Sequence, residues 1–288
     1  MLKYTNDNSQ QTSGFSIGHN AACDGSDFPL KTPVFGWNCH IIKQNDDVIK
    51  YLQKDNINLN ALNYLSYAKN ADVYIYNNDI NNGVIIGNKE QDFFYLATNN
   101  VDFLKEFWDN LSAGHKCFTG VEKSIADVFV KDKKIVWQSP CQVYALLGEF
   151  ECIENLNYKS ESLITDDAVE VDKYYTFRDD DSVNSIRESI ELCDSSCIRI
   201  SGELAAWCLV HAEDGSMGPL FVKESYRGLG LAKIVSERLI GKLITKNITP
   251  YLHINETNNP SLSLIKKISG MAYSHDCVWF GIDKQEEN

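Results

Sequence analysis

The chain lacks the sequence features that would indicate a membrane protein or a metal-binding protein. None of its apolar runs approaches the roughly 20 residues that a membrane-spanning helix needs. Its nine cysteines include no Cys-x-x-Cys pair, and no second pair of ligands lies at the spacing that zinc requires. We therefore expect no metal and no membrane partner, and we expect most cysteines to be buried free thiols in a reducing compartment.

Positive charge is also scarce. Lysine and arginine total 27 against 40 aspartates and glutamates, which gives a net charge of −13. Such a surface repels phosphate backbones, so we expect no nucleic-acid partner. The first residues, Met1 to Gln11, are polar and lack the apolar core of a signal peptide. We therefore predict a cytoplasmic protein.

The hydrophobic pattern predicts an α/β protein in which one order of elements occurs twice. In each copy, helical sequence precedes three strands, and a helix, a strand, a helix and a long strand follow. The predicted first copy consists of a helical region at 46–69, strands at 72–76, 83–87 and 93–98, a helix at 101–111, a strand at 116–119, a helix at 121–130 and a strand at 135–147. The predicted second copy consists of helix 182–192, strands 197–200, 204–210 and 217–222, helix 229–245, strand 251–255, helix 260–269 and strand 271–282.

Composition predicts where this chain divides into domains. Residues 1–35 are rich in Asn, Ser, Gly and Asp, and we expect them to be loosely ordered. The first domain is predicted over 36–152 and the second, catalytic domain over 172–288. The polar stretch 153–171 between them is predicted to be a linker.

The most informative motif runs from Tyr226 to Lys233, between a predicted strand and an amphipathic helix. Free N–H groups and the dipole at a helix N-terminus favour a pyrophosphate, and glycines allow it to approach closely. We predict that the motif binds the cofactor through Arg227, Gly228, Leu229, Gly230, Leu231, Ala232 and Lys233. A plain tight turn is the structural alternative. A Rossmann site is disfavoured because Lys233 stands where its third glycine belongs.

The residues from Leu204 to Lys233, followed by Tyr251 to Ile254, Asn258 and Gly270-Met271, resemble the GNAT superfamily of N-acetyltransferases. The resemblance is strongest to the glycine N-acyltransferase-like, FR47-like branch, and it covers about Asp172 to Asp283. It implies a mixed α+β sheet in a tandem GNAT-like acyl-CoA N-acyltransferase fold. The first copy would be degenerate, because no Arg-x-x-Gly-x-Ala follows its third strand, so we predict that it binds no cofactor.

The resemblance also implies a co-substrate, acetyl-CoA or another short acyl-CoA. In the family the strand before the glycine loop splays from its neighbour, and its free backbone groups hold the pantetheine and polarise the thioester. Here those groups would belong to Leu220, Phe221 and Val222, and Asn258 would join the cofactor-binding set. Gly218-Pro219 suits a distorted strand, since proline cannot donate to a ladder.

The catalytic residues are where the sequence departs from the family. The tyrosine that often protonates the leaving thiolate is replaced by Leu264-Ile265, and Ser216 stands where the related enzymes have a glutamate base. His253 is the next candidate base, with a hydrogen-bonded core histidine as the structural alternative. Without a strong base, we expect the acceptor to be a small amine or an amino acid rather than a protein lysine.

Three functions remain compatible with these residues. The first is an active N-acyltransferase, and the second is a catalytically impaired CoA-binding or regulatory module of the same fold. Transfer to an oxygen or sulfur acceptor is a third, because a fold does not fix the chemistry.

Overall fold

The computed structural model describes residues 38–42, 46–67, 71–88, 92–152 and 157–285. The predicted loose segment 1–35 lies outside these described residues. The described residues form two compact units. Of the described residues, the N-terminal unit contains those from 38 to 142 together with 274–285, and the C-terminal unit contains those between Val143 and Tyr273.

The helices and strands of the N-terminal unit follow the predicted order. They are β1 (Cys39–Ile42), α1 (Asp46–Leu52), α2 (Leu59–Tyr67), β2 (Asp72–Tyr76), β3 (Asp79–Asn88), β4 (Phe93–Ala97), α3 (Val101–Asn110), β5 (Gly114–Glu122), α4 (Lys123–Phe129) and β6 (Ile135–Leu146), whose last residues belong to the other unit. Strands β1 to β4 pair antiparallel in sequence order, and β4 is parallel to β5.

The C-terminal unit repeats this order. Its elements are β7 (Ser160–Glu161), α5 (Ala168–Asp172), α6 (Ser182–Leu192), β8 (Ser195–Ile200), β9 (Glu203–Val210), β10 (Met217–Val222), α7 (Leu231–Thr245), β11 (Tyr251–Asn255), α8 (Asn259–Ile265) and the start of β12 (Met271–Lys284). In both copies two helices precede three antiparallel strands, and a helix, a strand, a helix and a long strand follow. The predicted tandem arrangement of a mixed α/β fold is confirmed.

Corresponding hairpins use the same turn chemistry in the two copies. Asn77 and Asn78 both have φ of 53° between β2 and β3, and Ser201 and Gly202 have φ of 54° and 83° between β8 and β9. Two central residues with positive φ match the right-handed twist of the flanking strands. The predicted break at Ser201-Gly202 is therefore confirmed.

Helix α7 packs its apolar face into the core of the C-terminal unit. The predicted buried residues are all buried in the structure: Leu231, Ile234, Val235, Leu239 and Leu243. The sequence pattern placed Glu237 and Lys242 away from this face, which is wrong for Glu237, since it is only 5% exposed and pairs with Lys233 at 3.2 Å. Lys242 is half-buried and donates to the Ser195 carbonyl at 2.6 Å.

The segment 153–171 contributes to the C-terminal unit. Its strand β7 pairs with β8, and Leu163, Ala168 and Val171 are buried in a cluster with Trp207. The functional domain boundaries, 36–152 and 172–288, stay a prediction.

Candidate functional site

Strand β10 forms one edge of a four-stranded sheet in the order β10-β9-β8-β7. The strand that follows it in the chain after α7, β11, belongs to a different sheet and lies beside β6. Met217 pairs with Val210 and Leu220 pairs with Cys208, so Gly218 and Pro219 together stand opposite one residue of β9. This bulge locally interrupts the ladder at the open edge of β10.

The register of β10 decides which backbone groups face the open edge. Lys223 donates its N–H to the Ala205 carbonyl at 2.9 Å, which makes this a hydrogen-bonded pair. Since such pairs alternate along an antiparallel ladder, Phe221 also exchanges hydrogen bonds with β9, whereas Leu220 and Val222 direct their N–H and C=O groups outward. Of the three predicted strand residues, Leu220 therefore directs both backbone groups outward, and Val222 has its N–H available to a ligand, since its carbonyl accepts from Arg227 Nε.

A glycine loop joins β10 to α7. A short 3-10 turn, Glu224–Tyr226, follows the strand, and Gly228 and Gly230 then adopt left-handed φ values of 84° and 76°. A Cβ atom built on either glycine would meet no other atom of the chain within 4 Å. The concave side of the loop is thus open to a ligand, and its backbone conformation is one that glycine adopts without strain.

The loop presents a row of free donors at the start of α7. Among the residues that the structure describes, the N–H groups of Gly228 through Ala232 donate to no other group of the chain, and the first bonded N–H is that of Lys233, to the Gly230 carbonyl at 3.1 Å. Gly230 is the N-cap and offers no side-chain oxygen of its own. Free N–H groups and the helix dipole at this end of α7 favour a negatively charged ligand.

The charged side chains of the motif support the loop. Arg227 donates from Nε to the Val222 carbonyl at 3.3 Å and from Nη1 to Glu224 at 3.3 Å. Lys233 pairs with Glu237 along α7. Leu229 is exposed and Leu231 is buried beneath the loop, while Ala232 is half-buried. Asn258 accepts from the Ser261 N–H at 3.2 Å and so caps α8.

An ion-pair network around the largely buried Lys223 anchors the end of β10. The Lys223 Nζ lies 2.6 Å from Glu170 Oε1 and 3.0 Å from Glu203 Oε1, and the Tyr226 hydroxyl donates to Glu203 at 2.7 Å. These contacts fix both ends of the turn that precedes Arg227. Hydrogen bonds from Lys173 and then from Lys223 lower the pKa of Glu170.

We expect Lys223→Met to weaken folding in a pH-dependent way. A lowered carboxylate pKa stabilises the fold above the unfolded-state value, about 4.3 for glutamate, and this contribution is lost as the pH falls through the folded-state pKa. The free energy of unfolding near pH 7 should drop by roughly 1–3 kcal/mol, between the values for exposed and buried pairs. Urea unfolding of the wild type and of Lys223→Met should show that the difference in their free energy of unfolding shrinks below about pH 4.

Lys173→Met is the matched control, because Lys173 also contacts Glu170 but is 57% exposed at its side chain. Its effect should be the smaller of the two. If the loss of free energy of unfolding in Lys223→Met does not depend on pH, the electrostatic explanation is contradicted.

Of the predicted catalytic residues, Ser216 is buried and its hydroxyl is already engaged. The Ser216 Oγ donates to Asp214 Oδ1 at 2.7 Å, and the Ser216 N–H donates to the same oxygen at 2.9 Å. The Tyr251 hydroxyl donates to the Asp214 carbonyl at 2.5 Å. The other carboxylate oxygen of Asp214 is buried and has no hydrogen-bond partner among the described residues.

His253 lies on β11, half-buried, as strand alternation predicts. Its ring packs edge-on against Tyr251, with the centroids 5.6 Å apart. Tyr251 therefore contacts both predicted catalytic regions, through its ring on one side and its hydroxyl on the other. Both catalytic assignments, Ser216 and His253, stay predictions.

The structure adds a residue that the sequence reasoning missed. His211 follows β9 directly, and its Nε2 lies 3.3 Å from the position that a Cβ of Gly218 would occupy. No motif in the sequence marks this histidine, since its position depends on the bulge in the neighbouring strand. The side chain is 29% exposed.

The N-terminal unit fills its corresponding positions with its own side chains. The α3 N-terminus is capped by Asn100, whose Oδ1 accepts from the Phe103 N–H at 3.1 Å. Strand β4 pairs with β5 at Phe93 and Phe94, and the buried Asn60 donates to the Thr119 and Gly120 carbonyls of β5 at 3.1 and 3.2 Å. These contacts support the prediction that this copy binds no cofactor.

The described residues contain neither a group of metal ligands nor a membrane-spanning helix. Within 38–42, 46–67, 71–88, 92–152 and 157–285, no three His, Cys, Asp or Glu side chains are grouped as metal ligands. No helix in the same part of the chain combines the length and apolar character needed to span a membrane.

Known proteins resemble this chain in sequence over part of its length and in fold over most of it. Residues 197–280 match the family model described as FR47-like protein. A Drosophila protein of known crystal structure superposes with a TM-score of 0.68 at 14% identity, covering 86% of this chain and 99% of its own. An acetyltransferase from the GNAT family of Colwellia psychrerythraea gives a TM-score of 0.54 at 14% identity, covering 85% and 99%. At such identities the likeness shows the fold, and no curated protein sequence matches significantly.

Proposed function

We propose that the C-terminal unit is an acyl-CoA-dependent N-acyltransferase of the GNAT superfamily, because residues 197–280 match the FR47-like family model and the chain shares its fold with a GNAT acetyltransferase. The proposed donor is acetyl-CoA or another short acyl-CoA, and the proposed acceptor is the amine of a small molecule or amino acid. We propose no partner other than these substrates, and in particular no nucleic acid.

The observation that carries the proposal is the pairing of an open strand edge with an open helix N-terminus. The N–H groups of Gly228 through Ala232 are free to hold a pyrophosphate, and no side chain of the described residues occupies the space beside Gly228 or Gly230. The outward groups of Leu220 and Val222 lie on the strand that leads into this loop. A ligand with a pyrophosphate at one end and an amide-bearing arm at the other fits this arrangement.

The chemistry proposed for the site is direct attack of an amine on a thioester. The outward N–H of Leu220, next to the bulge at Gly218 and Pro219, is suited to stabilise negative charge on the thioester oxygen. A thiol with a pKa of about 8.5 leaves as a thiolate near neutral pH, so the absence of a tyrosine at Leu264-Ile265 is tolerable. The chain then needs only to bind, orient and deprotonate the acceptor.

Deprotonation favours an acceptor of low pKa. At pH 7, deprotonating an α-amino group with a pKa near 8 costs about one pKa unit, or roughly 1.4 kcal/mol. Deprotonating a lysine side chain costs about 3.4 pKa units, or roughly 4.6 kcal/mol. Ser216 has its hydroxyl engaged with Asp214 and does not supply a strong base alone. Faster turnover of a lysine peptide than of any free amino acid or small amine would contradict this part of the proposal.

Thermal unfolding with acyl-CoAs tests the donor. At a ligand concentration of about 100 times Kd, binding should add roughly 2.7 kcal/mol, and Tm should rise by several degrees. Acetyl-CoA and longer acyl-CoAs should raise Tm, while NAD and ATP at equal concentrations should have little effect. No rise with any acyl-CoA would contradict the proposal.

A catalytically impaired CoA-binding or regulatory module is the second candidate. The observation in its favour is the engaged hydroxyl of Ser216, in a position where related enzymes would have a carboxylate base. The two candidates are separated by product formation with a broad panel of amines. Tm shifts with acyl-CoA but no acylated amine and no released thiol would favour the binding module.

A further inference from the structure

His211 is held by its backbone at the start of the turn between β9 and β10. Its N–H donates to the Ser216 carbonyl at 2.9 Å, and its carbonyl accepts from the Gly215 N–H at 2.9 Å. These bonds close the turn on both sides, so the position of the His211 backbone is defined by the ends of two neighbouring strands.

The imidazole faces the bulge of β10. A Cβ on Gly218 would come within 3.3 Å of His211 Nε2 and 3.7 Å of its Cδ2, which is tighter than an ordinary contact. A glycine at 218 therefore leaves room for the ring beside the point where the ladder is interrupted. Gly218 lies two residues before Leu220, whose N–H faces outward.

The other ring nitrogen faces a carboxylate. His211 Nδ1 lies 3.9 Å from Glu213 Oε2, and both side chains are partly exposed, at 29% and 39%. A carboxylate near Nδ1 favours a proton on that nitrogen and leaves Nε2 as the acceptor in the neutral ring. The geometry thus directs a basic nitrogen toward Gly218, at the bulge of β10.

The remaining neighbour of the ring is Tyr175, whose ring centroid is 6.5 Å away. Burial raises the pKa of Tyr175, and the nearby carboxylates of Glu213, Asp179, Asp214 and Asp172 raise it further. Tyr175 therefore stays neutral, and the charge that faces His211 directly is that of Glu213. An acidic surrounding of this kind also favours a cationic amine.

We propose that His211 is the catalytic base that deprotonates the acceptor amine, and this inference rests on the proposed acyltransferase function. An ammonium N–H gives its proton to His211 Nε2, and the freed nitrogen lone pair forms the C–N bond to the thioester carbon. The C–S bond then breaks, and its electron pair leaves with the sulfur. The nitrogen then gives its second proton to the departing thiolate, which becomes the free thiol, and the imidazolium proton passes to water, which restores the neutral His211.

His211→Gln tests the base directly. A positioned general base contributes about 10²- to 10⁴-fold, so kcat/KM near pH 7 should fall by at least about 100-fold. The loss should shrink as the pH approaches the pKa of an α-amine acceptor, about 8, because the substrate then arrives already deprotonated. Acyl-CoA should still raise Tm in the variant, which shows that the fold and the donor site are intact.

Two further variants distinguish a base from a structural histidine. Glu213→Gln should lower kcat/KM by less than His211→Gln does, because it removes the carboxylate near Nδ1 but leaves the base in place. Gly218→Ala should lower kcat, since the new methyl group displaces the ring. A His211→Gln variant with unchanged kcat/KM, or a loss that is equal at all pH values, would overturn the inference while leaving the proposed function standing. If the wild-type protein forms no acylated product and acyl-CoA does not raise its Tm, both the His211 inference and the proposed function are overturned.

Discussion

Replacing Gly230 by valine should abolish the rise in Tm that acyl-CoA causes. Gly230 has φ of 76° and is the N-cap of α7, so a β-branched side chain there is strained by about 1–2 kcal/mol. The added side chain meets no atom of the chain within 4 Å of its Cβ. It instead projects from the loop whose N–H groups are proposed to hold the pyrophosphate. We expect the affinity for acyl-CoA to fall by at least about 100-fold, so that at the same ligand concentration about 2.3 of the roughly 2.7 kcal/mol of ligand stabilisation is lost.

Gly114→Val is the matched control for strain, and Gly241→Val is the control for the same helix. Gly114 belongs to the N-terminal unit and has φ of 119°, with Lys116 Nζ at 3.8 Å as the nearest atom to an added Cβ. Gly241 lies within α7, and a Cβ there also meets nothing within 4 Å. Gly114→Val should lower Tm without ligand, whereas Gly241→Val should leave Tm unchanged or raise it slightly, because valine has a higher helix propensity than glycine. Both variants should keep the acyl-CoA shift. An undiminished shift in Gly230→Val would place the cofactor elsewhere.

Replacing Leu220 by proline should lower kcat by about 10²- to 10³-fold, the typical cost of losing one oxyanion donor. Leu220 stands opposite Cys208 in a pair that does not exchange hydrogen bonds with β9. Proline therefore removes the outward N–H and spares the ladder, which is the condition under which a strand tolerates proline. Binding of acyl-CoA should weaken far less than turnover, because the loop at 228–232 is untouched. Initial rates at saturating donor and acceptor measure the effect.

Leu220→Ala separates the side chain from the backbone donor. Leu220 is half-buried against the core of the C-terminal unit, so alanine should cost some stability while it keeps the N–H. If the two variants lose kcat equally, the backbone of residue 220 is not the donor. Circular dichroism and the acyl-CoA shift of Leu220→Pro verify that this variant is folded.

The two copies differ at the helix that follows their third strand. At the start of α3 the Asn100 side chain accepts a hydrogen bond from the helix backbone, whereas at the start of α7 Gly230 offers no side chain. Asn60 likewise satisfies two carbonyls of β5 from within the N-terminal unit. A polar side chain that saturates its own backbone removes the free donors and acceptors on which an anion or amide ligand depends.

Most elements were predictable because their signals are local. The continuous apolar run of β9, the helical spacing of Leu231, Val235 and Leu239, and the turn at Ser201-Gly202 depend on neighbours within a few residues. The errors were also local in origin. Glu237 was expected outside the core because charge normally avoids burial, but Lys233 pairs with it one helical turn away. The short strand β7 has only two residues and gives no periodic signal.

The sequence by itself determined the doubled order of elements and the position of the glycine loop, since hydrophobic period and glycine spacing are written along the chain. Only the tertiary structure decided that Leu220 and Val222 face outward while Phe221 faces β9, because that choice depends on the register between strands. It alone brought His211 against Gly218 and left the N–H groups after Arg227 without partners. These features depend on contacts between backbone segments that are distant in sequence, or on N–H groups that the fold leaves without hydrogen-bond partners. No local sequence pattern specifies them.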